Sequence, residues 1–302
     1  MCNKYIGNEL EEKRNHLMSQ FFDKQGIRES AKTGKPYEAF GLLIYPLTVK
    51  QYDTFVSCES ALTMRMSALP VIYAARTYAQ ALFGMYLDEK LQGSPVRGSW
   101  AKFLWLLCES LHINNENLSQ QVKHVVDKQD QTNLTALIIT QYTSEAENVV
   151  RLGASQIGQI REIIAELNGR HLPDESENLE LVQADEDIRL LNGTVNLDVD
   201  TDDLIASVAS YQHRRFYEIE EWTIWEFEKI RDAMERERRF TVSNIGEMSG
   251  MVKWERGNPY PSLFFNKQRE NLGVVSAEAF QRRVSGAVQT VDALPNLPST
   301  LN

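Results

Sequence analysis

The sequence predicts a mainly α-helical, two-domain protein with a small β element near its N-terminus. Apolar residues recur at helical spacing in residues 153–167 and again in residues 218–239. Residues 100–111 are apolar on almost every side, which is typical of a helix buried at the centre of a domain. Residues 37–45 (YEAFGLLIY) are instead aromatic and β-favouring, so the β element is placed there.

The first part of the chain, residues 1–143, is assigned to an N-terminal α(+β) domain. It is expected to begin with an amphipathic helix over Glu9–Phe22. Tyr37–Tyr45 is expected to form a strand or one arm of a hairpin, ended by Pro46. Thr48 is a good N-cap, and the helix that it begins is expected to run to about Leu69.

Four further segments complete this domain. Val71–Leu91 predicts a well-filled helix, and Trp100–Leu111 predicts the buried helix that forms the domain core. Leu118–Asp130 predicts a polar helix. Leu134–Tyr142 (LTALIITQY) fits either a β-strand or a buried helix, because periodicity does not separate the two in a short apolar run.

A second, helical domain is assigned to residues 144–250. Gly153–Leu167 predicts a helix, and Asn168-Gly169 is a good C-terminal stop for it. Thr201–Asp203 marks another helix start, with acidic side chains near the positive end of the helix dipole. Glu218–Arg239 is the clearest helix of the chain, with an apolar stripe and basic residues at its C-terminal end.

An acidic connector, residues 174–203, links the two predicted helical segments of this domain. It contains eleven carboxylates and a single basic residue, Arg189, so its net charge equals the −10 of the whole chain. The carboxylates are Asp174, Glu175, Glu177, Glu180, Asp185, Glu186, Asp187, Asp198, Asp200, Asp202 and Asp203. Such a charge excess favours solubility and steers basic partners toward the protein.

Residues 251–302 are assigned to a C-terminal extension. Glycine and proline accumulate near its start, and a short helix is predicted over Ser276–Val284. From Asp292 the sequence has two prolines and no periodicity, so this tail is expected to be mobile.

Composition excludes several classes of protein. The chain is 42% hydrophobic and 25% charged, as in ordinary globular proteins. A pI near 5.2 argues against bulk nucleic-acid binding, although Arg236, Arg238 and Arg239 leave a local basic patch. Three scattered cysteines and the absence of a recognisable signal peptide or long apolar run predict a cytoplasmic protein without a membrane segment.

No pattern of catalytic, cofactor-binding or metal-binding residues stands out. Asp198, Asp200 and Asp202 resemble the start of a calcium loop, but Asp203 and Ala209 replace the required Gly and Glu. Cys108 and His112 share a helix face, yet two ligands do not make a zinc site. Phosphate-binding and nucleophile-elbow motifs are not found. We therefore predict no enzymatic activity, no cofactor and no metal.

Aromatic and apolar side chains are the better candidates for function. Ile224 and Trp225 are expected to face away from the apolar stripe of their helix, and Trp254, Phe264 and Phe265 lie in a segment rich in Gly and Pro. These five residues are predicted to anchor a protein partner, because aromatic side chains dominate interface energetics. The alternative is a two-sided helix packed between layers.

Three short blocks resemble tail-region proteins from phages and prophages of Gram-positive bacteria. Phe40–Phe55 (FGLLIYPLTVKQYDTF) resembles their IYPxT strand followed by a helix. Gln159–Gly169 (QIREIIAELNG) resembles their F-x-x-x-R-x-I-x-x-Q-N-G helix end. Glu218–Phe227 (EIEEWTIWEF) resembles their EIxxMTIxxF helix start, with Trp222 where Met is more usual. The order and spacing of the blocks also agree.

The resemblance implies a non-enzymatic tail assembly chaperone of the host cytoplasm. Its expected partners are the tape measure protein or the tail tube protein, with self-association as a further option. A structural tail or baseplate subunit is the first alternative. An enzyme or a nucleic-acid-binding factor is the second, and it requires a cleft or a basic face that one-dimensional information does not reveal.

Overall fold

The computed structural model describes residues 23–92, 98–114, 117–143, 147–175, 180, 200–250, 258, 260, 262 and 263. The predicted helices over Glu9–Phe22 and Ser276–Val284, the tail from Asp292 and most of the acidic connector lie outside these residues.

Helices dominate the described residues, as the sequence predicts. The described part of the chain has ten α-helices: α1 (Lys24–Thr33), α2 (Tyr52–Leu62), α3 (Val71–Ala74), α4 (Tyr78–Gln92), α5 (Ser99–Ser110), α6 (Leu118–Gln121), α7 (Ala154–Leu167), α8 (Thr201–Gln212), α9 (Phe216–Glu220) and α10 (Ile224–Met248). The same residues form five strands: β1 (Tyr37–Ala39), β2 (Leu42–Ile44), β3 (Val122–Val126), β4 (Leu134–Tyr142) and β5 (Glu147–Gly153). Short 3-10 turns occur at Val49–Gln51 and Met66–Ala68. None of the helices in the described part combines the length and apolar character needed to cross a bilayer.

The N-terminal β element is a hairpin of β1 and β2, which confirms the prediction for residues 37–45. The strands pair antiparallel, and the turn between them places Phe40 and Gly41 at positive φ, a conformation that glycine adopts without steric cost. Leu42 and Ile44 are buried, so one face of β2 belongs to the core. Thr48 begins a 3-10 turn, and the helix that follows, α2, ends at Leu62 rather than near Leu69.

The helix predicted over residues 71–91 is broken into α3 and α4. The break falls at Thr77, whose N–H donates to the Oε1 of Gln80 at 3.1 Å and whose carbonyl accepts from Ala81 at 2.9 Å. These contacts begin α4 as a new helix. The buried helix predicted over residues 100–111 is confirmed as α5.

The polar helix predicted over residues 118–130 is wrong beyond its first turn. From Val122 the chain forms β3, which pairs antiparallel with β4. The β-branched Val122, Val125 and Val126 favour a strand, and Val122 is buried opposite Ile139. The same pairing decides the ambiguous segment Leu134–Tyr142 in favour of a strand.

The three-stranded sheet has the order β3-β4-β5, and one face of it is buried. Leu137, Ile139 and Leu152 lie on that face and are inaccessible to solvent. Helix α7 begins directly after β5, and its apolar positions, predicted from helical spacing, are also buried in the core. The helix ends at Asn168 and Gly169 as predicted, with Gly169 at φ +73°.

The compact units of the chain have other bounds than the domains predicted from the sequence. The chain divides into one compact unit from residues 1–176 and 197–239 and another from residues 177–196 and 240–302. The predicted boundary would have separated β4 from β5, which pair along seven residues from Ala136↔Gly153 to Tyr142↔Glu147. The hydrogen bonds between β4 and β5 therefore keep the residues on both sides of the predicted boundary in the first unit.

The helix predicted over residues 218–239 has two parts. Helix α9 ends at Glu220, and α10 begins at Ile224 and continues to Met248. The helix start predicted at Thr201–Asp203 is confirmed as the start of α8. Asp200 caps this helix, and its side chain accepts from the N–H of Asp202 at 3.3 Å.

Candidate functional site

The three blocks that carry the family resemblance meet at one junction in the first unit. The N–H of Ile224 donates to the carbonyl of Leu47 at 2.9 Å, and the N–H of Val49 donates to the carbonyl of Trp222 at 2.9 Å. Thr48 and Thr223 form an isolated antiparallel bridge between these two contacts. The break between α9 and α10 is therefore set by pairing with the segment that follows the hairpin.

Asn168 joins the remaining block, Gln159–Gly169, to this junction. Its Oδ1 accepts from the N–H of Leu47 at 2.9 Å, and its Nδ2 donates to the carbonyl of Ile164 at 2.8 Å. Thr223 Oγ1 donates to the carbonyl of Ala31 at 2.8 Å and so ties α1 to the same place. Asn168 is fully buried and Thr223 nearly so, which makes each of these bonds costly to lose.

A cluster of charged side chains lies beside the junction. Arg170 forms a bidentate pair with Glu228 and also donates from Nε to Glu59 at 2.9 Å. Tyr52 donates to Glu228 at 3.3 Å and accepts from Arg231 at 3.1 Å. This Arg170 cluster connects α2, the loop after α7 and the N-terminal part of α10.

The surroundings within the Arg170 cluster raise the pKa of both Arg170 and Tyr52. Burial lowers the pKa of Arg170, but the hydrogen bonds and charges of Glu228 and Glu59 outweigh this effect and raise it overall. Burial and the nearby charge of Glu228 raise the pKa of Tyr52, although Arg231 and Arg170 partly oppose the shift. The ion pairs of Arg170 with Glu59 and Glu228 join the elements that carry these side chains, and the cluster therefore stabilises the fold.

The metal candidates considered from the sequence do not come together. Within the described residues there is no group of three or more His, Cys, Asp or Glu side chains that could hold a metal ion. Asp200 serves as a helix cap, and Asp198 lies outside the described residues. Cys108 is buried in the core, whereas His112 stacks on Tyr45 with ring centroids 3.8 Å apart.

The expectation that Ile224 faces away from the core is wrong. Ile224 is fully buried, because the pairing with Leu47 turns the start of α10 into the core. Trp225 is half-buried and packs on the core, with the Nζ atoms of Lys32 and Lys229 5.7 and 5.8 Å from its ring centroid. Trp254, Phe264 and Phe265 lie outside the described residues.

An exposed apolar segment at residues 68–75 (ALPVIYAA) was missed by the sequence reasoning. Val71 is 85% exposed and Ile72 62% exposed, and Ala68, Ala74 and Ala75 are exposed as well. Eight consecutive residues without a charge could have drawn attention to this segment. The sequence analysis instead divided these residues between two predicted helices, one ending near Leu69 and one beginning at Val71.

Polar contacts hold the apolar segment in this orientation. Tyr73 donates a hydrogen bond to Asp88 on α4. Arg76 lies over the Tyr73 ring. Both side chains pack closely on Gly84 of α4, because a Cβ at Gly84 would lie 2.7 Å from Nη1 of Arg76 and 3.4 Å from the Tyr73 ring. Tyr73 of α3 and Arg76 just after it therefore face α4, whereas Val71 and Ile72 face solvent.

The acidic connector begins next to the apolar segment. Glu175 accepts from the N–H groups of Met66 and Ser67, both at 2.9 Å, and Arg65 donates to the carbonyl of Asp174 at 2.6 Å. The start of the connector is thus fixed at residues 65–67, which directly precede the apolar segment. An apolar surface and acidic side chains are adjacent here.

A scan against protein-family models and searches of curated proteins and of solved structures gave no match to this chain.

Proposed function

We propose that this chain is a non-enzymatic tail assembly chaperone that holds an apolar client, the tape measure protein or the tail tube protein, before assembly. The observation that carries the proposal is the exposed apolar segment 68–75. Large aliphatic side chains as exposed as Val71 and Ile72, placed side by side, are typical of a site where another protein binds.

The charges next to the segment favour a client of defined chemistry. Asp174 and Glu175 are anchored at residues 65–67, so carboxylates flank the apolar surface. An apolar client segment with neighbouring Lys or Arg residues would complement both features. The excess negative charge of the chain would also keep the complex soluble while the client is held.

The family resemblance supports the proposal through the fold. The matching blocks contain Leu47, Asn168 and Ile224, whose contacts form the junction, so they report how the chain folds and not what its surface binds. The identity of the client and the setting in the host cytoplasm rest on the resemblance. The place of binding rests on the exposure of residues 68–75.

A co-expression pull-down tests the proposal. The double variant Val71→Ser/Ile72→Ser is expected to retain at least about tenfold less of the tape measure or tail tube protein than the unmodified chain, because it removes the aliphatic anchors. Val242→Ser/Ile245→Ser is a matched control on α10, since these two residues are 70% and 62% exposed.

Two outcomes would contradict the proposal. The first is failure of the unmodified chain to retain either client when both proteins are soluble. The second is equal client retention by the two double variants. Mass spectrometry of purified particles then separates a chaperone, which should be absent, from a structural subunit, which should be present in stoichiometric amount.

A further inference from the structure

Among the described residues, strand β5 is an edge of the three-stranded sheet. One side of it pairs with β4 along the whole strand. On its other side, no described residue forms a backbone hydrogen bond with residues 147–153. An edge strand of seven residues presents a row of N–H and C=O groups that another strand can pair with.

The side chains on the exposed face of β5 are self-complementary. Glu147, Val149 and Arg151 alternate along the strand, all three are exposed, and Val149 is 60% exposed. The acidic and basic residues lie two positions on either side of the valine. No described residue forms an ion pair with Arg151, so its charge is available to a partner.

We propose that two copies of this chain associate through antiparallel pairing of β5 with β5, with a two-fold axis at Val149. In that register Glu147 of each copy lies opposite Arg151 of the other, and the two Val149 side chains meet at the centre. Directly opposed residues of antiparallel strands bring their Cβ atoms to about 4.5–5.5 Å, close enough for ion pairing. The result is a closed, isologous dimer with a continuous six-stranded sheet.

The opposite edge of the sheet is less suited to such pairing. Strand β3 has five residues, and its register with β4 shifts between Val125 and Val126. A bulge of this kind twists an edge strand and discourages further pairing. The regular edge at β5 is therefore the one that we assign to self-association.

Charge exchange provides the sharpest test of this inference, which does not rest on the proposed client. The masses of the full-length variants would be measured by sedimentation over a range of concentrations, against the 34.6 kDa of one chain. Arg151→Glu alone, or Glu147→Arg alone, should raise the dimer dissociation constant by about tenfold or more, since each places two like-charge pairs across the axis. The exchanged variant Glu147→Arg/Arg151→Glu should restore the dimer.

Mixing the two single variants adds a second readout. Each single variant should be monomeric alone, whereas an equimolar mixture should form a heterodimer, because the opposed charges become complementary again. Val149→Lys should also disrupt the dimer, whereas Val242→Lys, at a valine that is 70% exposed, should not.

Oxidative cross-linking checks the register. Val149→Cys, in a background with Cys2→Ser, should give a disulfide-linked dimer, because Cys58 and Cys108 are buried. A wild-type chain that stays monomeric up to its solubility limit would overturn the proposal. So would a dimer that tolerates both single charge variants and Val149→Lys, since it would have to use another surface.

Discussion

At the scale of single residues, Asn168 has the largest role in the junction. Both ends of its amide are used, with Oδ1 bound to the backbone of Leu47 and Nδ2 to that of Ile164. The asparagine therefore satisfies two buried backbone groups from different parts of the sequence.

We expect Asn168→Ala to lower the free energy of unfolding by about 1–3 kcal/mol, because the Leu47 N–H and the Ile164 carbonyl each lose a buried partner. Urea unfolding followed by circular dichroism measures the change. Asn244→Ala is the control, since the Asn244 amide is only half-buried and bonds within an exposed part of α10. Equal effects of the two substitutions would show that the junction contributes no special stability.

At the scale of secondary-structure elements, ionic contacts connect segments that are distant in sequence. Arg170 links α2 to α10 through Glu59 and Glu228, and its guanidinium lies 5.1 Å from the Phe55 ring centroid. Glu175 makes a second, more exposed link from the start of the acidic connector to the 3-10 turn at Met66–Ser67. The two links lie on either side of residues 171–174.

The Glu175 link predicts a pH dependence. Partial burial raises the pKa of Glu175, but the two backbone N–H donors outweigh that effect, so its pKa is lowered below the ordinary 4.5. A lowered pKa means that the link stabilises the fold above pH 4.5 and is lost as the pH falls through the lowered value.

Glu175→Gln should therefore reduce stability at pH 7, by less than about 1 kcal/mol because the side chain is largely exposed. The difference from the unmodified chain should vanish as the pH falls below 4.5. Thermal unfolding across this pH range measures the stability difference, with Glu38→Gln, at another exposed glutamate, as the control. A difference between Glu175→Gln and the parent that persists unchanged at low pH would contradict the assignment.

Periodicity predicted those elements whose stability is local. The ends of the helices predicted at residues 100–111 and 153–167 agree with the structure to within one residue. The apolar stripe and the C-cap that predict such helices are formed by residues close together in the sequence. Strand β3 was missed, since its preference depends on pairing with β4 and not on its own polar composition.

The candidate site was less predictable than the fold. The burial of Ile224 follows from its hydrogen bond to Leu47, a contact across most of the chain that helical spacing does not encode. The exposure of Val71 and Ile72 likewise depends on how Tyr73 and Arg76 dock on α4. Composition identifies apolar residues, but tertiary contacts decide which of them face solvent.

At the scale of the whole molecule, the junction closes the first unit by joining its early and late segments. Residues 47–49 pair with residues 222–224, and the core between them includes the three-stranded sheet and α7. Contacts of such long sequence separation form and break together with the unit that they close.

Hydrogen exchange on the full chain tests this cooperativity. The amides of Val49 and Ile224 should exchange as slowly as that of Ile139 at the centre of β4, because all of them open with the first unit. The Asn168→Ala variant should accelerate all three by a similar factor. Much faster exchange at Ile224 alone would show that α10 detaches separately.

The pairing of Leu47 with Ile224 also orders events during synthesis. A nascent chain cannot make this contact until the start of α10 has left the ribosome, long after the hairpin and α2 have emerged. Most of the aliphatic core residues of the first unit, from Ile27 to Ile164, therefore remain exposed to solvent while translation continues. For the time of its own translation, the chain therefore presents far more apolar surface than the folded protein does at residues 68–75.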